Sequence, residues 1–138
     1  MEKRISWEKY ALNLAKCASL RSEDIYIKVG ACALSYDNRV LGLAYNGLKS
    51  GKNVPSKFWK DRNERRNYML HAETNVLSLF KRNECRVLAV TLLPCDSCAR
   101  MIAAWNIPVV VYEEEYNYAK KTKDIFKFYN IKLLKIAV

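Results

Sequence analysis

The only histidine of this 138-residue chain, His71, stands two residues before Glu73 and 24 before Cys95. Pro94 precedes Cys95, and Cys98 follows it by three positions, one helical turn. Two thiolates at the start of a helix can point to one metal, and the helix terminus supplies donors that favour the thiolate form. One imidazole and two thiolates match a catalytic zinc site that keeps a fourth position for water; a structural zinc finger wants a fourth protein ligand. Cys17, Cys32 and Cys85 lack a matching spacing. A chain built on these residues has to fold so that residue 71 meets residues 95–98. A lone Cys-x-x-Cys also fits a redox pair, and two buried cysteines near a histidine need no function. His71, Glu73 and Pro94 in this order lower both readings.

Glu73 need not bind the metal to be useful. Zinc lowers the pKa of a water it holds, and Glu73 can take the proton. The same carboxyl can then pass protons to a ring nitrogen and to leaving ammonia. His-x-Glu followed by Pro-Cys-x-x-Cys is the signature of zinc deaminases that act on nucleobases.

Hydrophobic residues make up 51% of the chain, enough for a globular core, and its length fits a single domain over 1–138. The formal charge of +10 attracts phosphate on a nucleotide or on nucleic acid, or serves solubility. The positive residues are spread, with Lys57, Lys60, Arg62, Arg65 and Arg66 in one group and Lys120, Lys121 and Lys123 in another. No nucleic-acid-binding module is visible, which argues against nucleic acid as a partner. Met1-Glu2-Lys3-Arg4 imitates a basic leader, but Glu8, Lys9 and Asn13 interrupt the apolar run, and no stretch is apolar enough to span a bilayer. Five cysteines, an odd count, argue against a disulfide scaffold and for a cytoplasmic setting. Cys17 and Cys32 sit among apolar neighbours and read as buried.

The pattern predicts a helix over 6–20 with Trp7, Tyr10, Ala11, Leu14 and Ala18 inward, a strand over 28–36, a turn at Asp37-Asn38-Arg39 and a returning strand from Val40 to Tyr45. A long polar loop, with a short helical piece, runs from Asn46 to about residue 70, a length that often marks a binding loop. A helix over 72–80, a strand over 87–92, a helix over 96–105, a strand over 109–112, a helix over 117–129 and a last strand over 131–136 follow. Tyr118, Ile125, Phe126 and Tyr129 are the core candidates of the last helix. A hairpin followed by alternating helices and strands predicts an α/β fold, a sheet covered by helices; periodicity does not fix the strand order.

From Arg21 to Tyr116 the chain resembles the deoxycytidylate deaminase family, within the zinc-dependent cytidine deaminase-like superfamily. The resemblance rests on Arg21-Ser22-Glu23-Asp24, Val29-Gly30-Ala31, Tyr45-Asn46-Gly47, His71-Ala72-Glu73-Thr74-Asn75, Val90-Thr91-Leu92-Leu93-Pro94-Cys95 and Tyr116. It implies a three-layer α/β/α fold with a five-stranded mixed sheet in the order 2-1-3-4-5. It also implies deamination of dCMP to dUMP and ammonia, which supplies dTMP synthesis. His71, Cys95 and Cys98 are the implied zinc ligands and Glu73 the implied catalytic residue. Asn46, the backbone amide of Ala72, and Tyr116 are the implied substrate contacts. Arg21 and Ser22 are the phosphate candidates, with Lys49, Arg62, Arg65 and Arg66 as alternatives; Tyr112 is a second aromatic candidate for the pocket. The resemblance further implies a homo-oligomer, commonly a hexamer, regulated by dCTP with magnesium, and a cytoplasmic enzyme (host cytoplasm if viral). Leu48-Lys49-Ser50-Gly51 departs from relatives that carry a proline after the Asn-Gly pair, and residues 46–70 hold no cysteine or histidine for a second zinc. The alternative is a deaminase of tRNA or single-stranded nucleic acid, which would share His71, Glu73, Cys95 and Cys98.

Overall fold

The computed structural model describes residues 3–116 and 119–138. Helix α1 (Trp7–Ser19) opens the chain, capped by Ser6, whose side chain accepts from the Lys9 N–H. Strands β1 (Gly30–Ser35) and β2 (Val40–Tyr45) form the expected hairpin. Asn38 turns it with φ 64, a conformation asparagine tolerates better than most residues. Two short helices, α2 (Ser56–Lys60) and α3 (Arg62–Arg66), occupy the long segment, and α4 (Ala72–Leu77) follows. The rest alternates: β3 (Cys85–Leu92), α5 (Asp96–Ala104), β4 (Val109–Glu114), α6 (Thr122–Phe128) and β5 (Lys132–Lys135).

The five strands form one sheet in the order β2-β1-β3-β4-β5. β1 is antiparallel to β2 and β3, whereas β3, β4 and β5 run parallel. Sheet and helices form the three-layer arrangement expected. Both faces of the central strands are buried, as parallel sheets require. Ala31 and Ala33 of β1 and Leu88 and Val90 of β3 meet Val76, Ile102 and Phe126 on one side. Cys32, Leu34, Val87 and Ala89 meet Ala11, Leu12 and Ala15 of α1 on the other. α5 and α6 end in asparagines with positive φ, Asn106 and Asn130, which take the left-handed position that glycine usually fills.

Several expectations about side chains are corrected. The buried stripe of α1 is Ala11, Leu12, Ala15 and Ser19, while Trp7 and Tyr10 are exposed and stack edge-on at 5.5 Å. Helix α1 lies so close to β1 that only small side chains fit between the two backbones. A Cβ on Gly30 would stand 1.8 Å from the Ala15 carbonyl oxygen. Cys17 is exposed, because it falls off that stripe. In α6, which begins only at Thr122, Phe126 is buried, but Tyr129 is exposed at the helix end. The proposed start of this helix at 117 and the core candidate Tyr118 lie outside the described residues.

The segment between β2 and α4 is clipped at its neck. Gly47 and Leu70 exchange both backbone hydrogen bonds, 3.0 and 2.7 Å, so a long excursion leaves and returns at one point, immediately before His71. Among the described residues no helix is long and apolar enough to cross a membrane.

The approach of α1 to β1 gives a paired prediction. Gly30→Ala forces backbone apart and is expected to cost about 2–3 kcal/mol, in the range for overpacking a rigid site. Gly47→Ala meets nothing within 4 Å and is expected to cost less than about 0.5 kcal/mol. Urea denaturation midpoints of the two variants test this; equal losses would contradict it.

Candidate metal centre and cavity

α4 and α5 begin at the same edge of the sheet, the end where the parallel strands terminate and where open α/β sheets bind ligands. His71 is the residue before α4, with extended backbone, and Cys95 holds the same position before α5. Cys98 lies in the first turn of α5. The three side chains converge: Cys95 Sγ lies 3.6 Å and Cys98 Sγ 3.4 Å from His71 Nδ1. All three candidate ligand atoms lie within 4.8 Å of one another. Zinc at about 2.3 Å from sulfur and about 2.0 Å from nitrogen, at tetrahedral angles, places a nitrogen and a sulfur about 3.5 Å apart. The donor set and its spacing therefore fit zinc. Three protein ligands leave the fourth tetrahedral position to water or substrate.

The local electrostatics agree. The Cys95 thiol is pulled down to about 4, first by its hydrogen bond with Cys98 and then, against burial, by His71. That hydrogen bond and burial push Cys98 far up. The two sulfurs thus share a proton that a bound cation would displace. His71 is raised, chiefly by its contact with Cys95.

Glu73 lies in the first turn of α4, 4% exposed. Burial pushes its carboxyl up to about 7, where it can both take and give a proton near neutrality. Asn75 anchors the helix by donating from its side chain to the Tyr45 carbonyl at 2.9 Å. On the other side, the Thr122 hydroxyl, fully buried, donates to the Pro94 carbonyl at 2.6 Å and holds the turn that presents Cys95.

These groups open on a cavity of about 760 Å³, the size of a small-molecule site. Asn46, Ala72, Glu73, His71, Cys95 and Tyr116 all line it. The Asn46 amide is largely committed: its oxygen accepts from the Val29 N–H at 2.9 Å, and its nitrogen donates to the Ile27 carbonyl at 3.0 Å and to Asp24 at 3.4 Å. One lone pair on the oxygen stays available. Arg21 and Ser22 do not line the cavity. Ser22 is buried and donates to the Asn46 carbonyl at 2.9 Å while accepting from the Asp24 N–H, so it braces Asn46 from behind. Tyr112 is buried in β4 and donates to Glu115, away from the cavity. Tyr26 and Met69 line the cavity without having been singled out by sequence, and nothing in the local pattern distinguishes them; Asp24, the last residue of the Arg21-Ser22-Glu23-Asp24 motif, lines it too.

Comparison with known proteins supports the same chemistry. The model of the cytidine and deoxycytidylate deaminase zinc-binding region matches residues 5–114. A deoxycytidylate deaminase of Mycobacterium phage D29 is 34% identical over 126 residues, 81% of this chain and 98% of the relative. The Mus musculus deoxycytidylate deaminase is 28% identical over 128 residues, 86% of this chain and 71% of the relative. The chain spans about two thirds of the length of the mammalian relatives it matches. The crystal structure of the dCMP deaminase from cyanophage S-TIM5 in complex with dCMP and dUMP superposes with a TM-score of 0.80 at 22% identity. It covers 98% of this chain and all of that one, which establishes the shared fold.

Purified protein is expected to hold one zinc, and His71→Ala or Cys98→Ser to hold close to none, while Cys17→Ser, on the exposed face of α1, keeps it. Atomic emission on dialysed protein measures this. Zinc affinity is expected to fall as pH falls, because Cys98 and His71, both raised, bind metal only without their protons. Competition with a chromophoric chelator across the range reads it out.

Proposed function

The chain belongs to the deoxycytidylate deaminase family of zinc-binding proteins, and we propose that it converts dCMP and water to dUMP and ammonia. The observation that carries this reading is a buried carboxyl, Glu73, beside a His-Cys-Cys triangle on the wall of a nucleotide-sized cavity. His71, Cys95 and Cys98 hold the zinc. When bound, zinc supplies Lewis acidity that lets a water molecule lose a proton near neutral pH.

Glu73 would take that proton and give it to ring nitrogen N3, then carry the second water proton, from the hydroxyl added at ring carbon C4, to the departing 4-amino group, so one carboxyl serves as base and then acid. Its burial excludes bulk water from these transfers. The Ala72 N–H belongs to the first turn of α4, where N–H groups have no intrahelical acceptor, and in this reading it donates to an acceptor on the pyrimidine. The free lone pair of Asn46 takes a sugar hydroxyl. Tyr116 contributes to the cavity wall. The product, dUMP, feeds dTMP synthesis.

The same reading includes a homo-oligomer, a hexamer, activated by dCTP with magnesium. It rests on the family resemblance. Exposed Val40 and Leu43 on the edge strand β2 also leave apolar surface for a partner copy. Multi-angle light scattering with and without dCTP and magnesium tests it.

Glu73→Gln is expected to keep zinc and lower kcat for dCMP by about 10³-fold, the scale of general acid–base catalysis. Ammonia release from dCMP measures it; a variant with zinc and full activity would remove Glu73 from the mechanism.

A further inference from the structure

Within the deaminase reading, we propose that Arg62 and Arg66 of α3, set in place by the buried Arg65, read the 5′-phosphate of the nucleotide and so separate nucleotide from nucleoside. The cavity that holds His71 and Glu73 is also lined by Arg62, Arg65 and Arg66. These three differ in how their charge is used. Arg65 is 5% exposed, and its Nη1 lies 2.9 Å from Asp24 Oδ2 on a residue 1% exposed. That ion pair cancels its charge. Arg62 and Arg66 are exposed and make no ion pair with the described residues, so two uncompensated guanidinium groups face one cavity.

The framework behind them is built. Asp24 also accepts from the N–H groups of Tyr26, at 2.8 Å, and Ile27, at 3.3 Å, and from the Asn46 side chain at 3.4 Å. One carboxylate therefore joins α3 to the loop before β1 and to Asn46. The Tyr26 ring lies 5.0 Å from the Arg62 guanidinium and 4.8 Å from that of Arg65. Its hydroxyl donates to the Lys60 carbonyl at 2.7 Å, which fixes the ring against the α2–α3 segment. An arginine ordered on an aromatic face loses less freedom when it binds a phosphate.

Among the described residues, Arg65 Nε is the one buried side-chain polar atom without a hydrogen-bond partner. Native interiors rarely leave such a donor unmet. The described residues supply no acceptor there, and the atom is closed to solvent between Asp24 and Tyr26, so it marks how firmly Arg65 is held and is not itself a phosphate contact. Guanidinium forks match phosphate geometry better than the other donors in the cavity do. The residues that sequence favoured for the task are not available: Ser22 is spent on Asn46 and Asp24, and Arg21 lies outside the cavity.

The test compares kcat/KM for dCMP and for deoxycytidine in the zinc-loaded full chain. Arg62→Gln with Arg66→Gln is expected to lower the dCMP-to-deoxycytidine ratio about 100-fold, mainly through KM for dCMP, as lost charge-assisted hydrogen bonds imply. Arg65→Lys keeps a cation for Asp24 but loses the planar fork that packs on Tyr26 and sets α3, and is expected to lower the ratio about 10-fold. Zinc content and circular dichroism confirm that the variants fold. An unchanged ratio, or a parallel loss for both substrates, overturns the subsite and leaves the deaminase reading intact. If the parent chain turns over neither substrate, the deaminase reading falls. Calorimetry with dCMP then decides the subsite: weaker binding in the double variant keeps it, and equal binding overturns it.

Discussion

The site depends on two helices starting side by side at one edge of the sheet. β3 lies at the centre, between antiparallel β1 and parallel β4, and leads through Pro94 into α5. α4 reaches the same edge from the excursion that Gly47 and Leu70 clip shut. Each helix brings first-turn N–H groups without intrahelical partners and a positive dipole end. A thiolate and a developing anion are both stabilised at such a helix start. His71, Glu73, Cys95 and Cys98 all occupy these two starts. The chemistry is thus a property of where α4 and α5 begin, and the sheet exists to hold those beginnings about one zinc ion apart.

The second determinant is the packing that lets the loops before β1 and after β2 stand over this edge. Gly30 admits the α1 backbone, which locks the start of β1. From there Val29 and Ile27 bind the Asn46 amide, and Asp24 binds Asn46 and Arg65. One connected polar network runs from the sheet edge to α3. Buried networks of this kind specify geometry when satisfied, and this one is satisfied except at Arg65 Nε.

Much of this was legible in the chain because covalent spacing carries it. His71-x-Glu73 and Cys95-x-x-Cys98 are local patterns, and the structure gathers His71, Cys95 and Cys98 into a group that could hold a metal ion. The strands and most helices followed from periodicity, and the strand order from family resemblance. What sequence misplaced was tertiary. The buried face of α1 went to small residues because of a close backbone approach that no periodicity reveals, leaving Trp7 and Tyr10 outside. Of the phosphate candidates, the loop before β1 turns Ser22 inward and Arg21 lies outside the cavity, whereas the alternatives Arg62, Arg65 and Arg66 line it. The fold of a 24-residue excursion, which a local pattern cannot encode, decides which arginines face the cavity.

On the function proposed, solvent water attacks a cytosine nucleotide at this centre. Turnover of dCMP in ¹⁸O-enriched water, followed by mass spectrometry of the nucleotide, tests it most directly. The expected product is dUMP carrying one heavy oxygen on the ring, released with one ammonia per turnover and abolished when zinc is removed. Unchanged dCMP in the zinc-loaded protein, or turnover that survives complete loss of zinc, would contradict it.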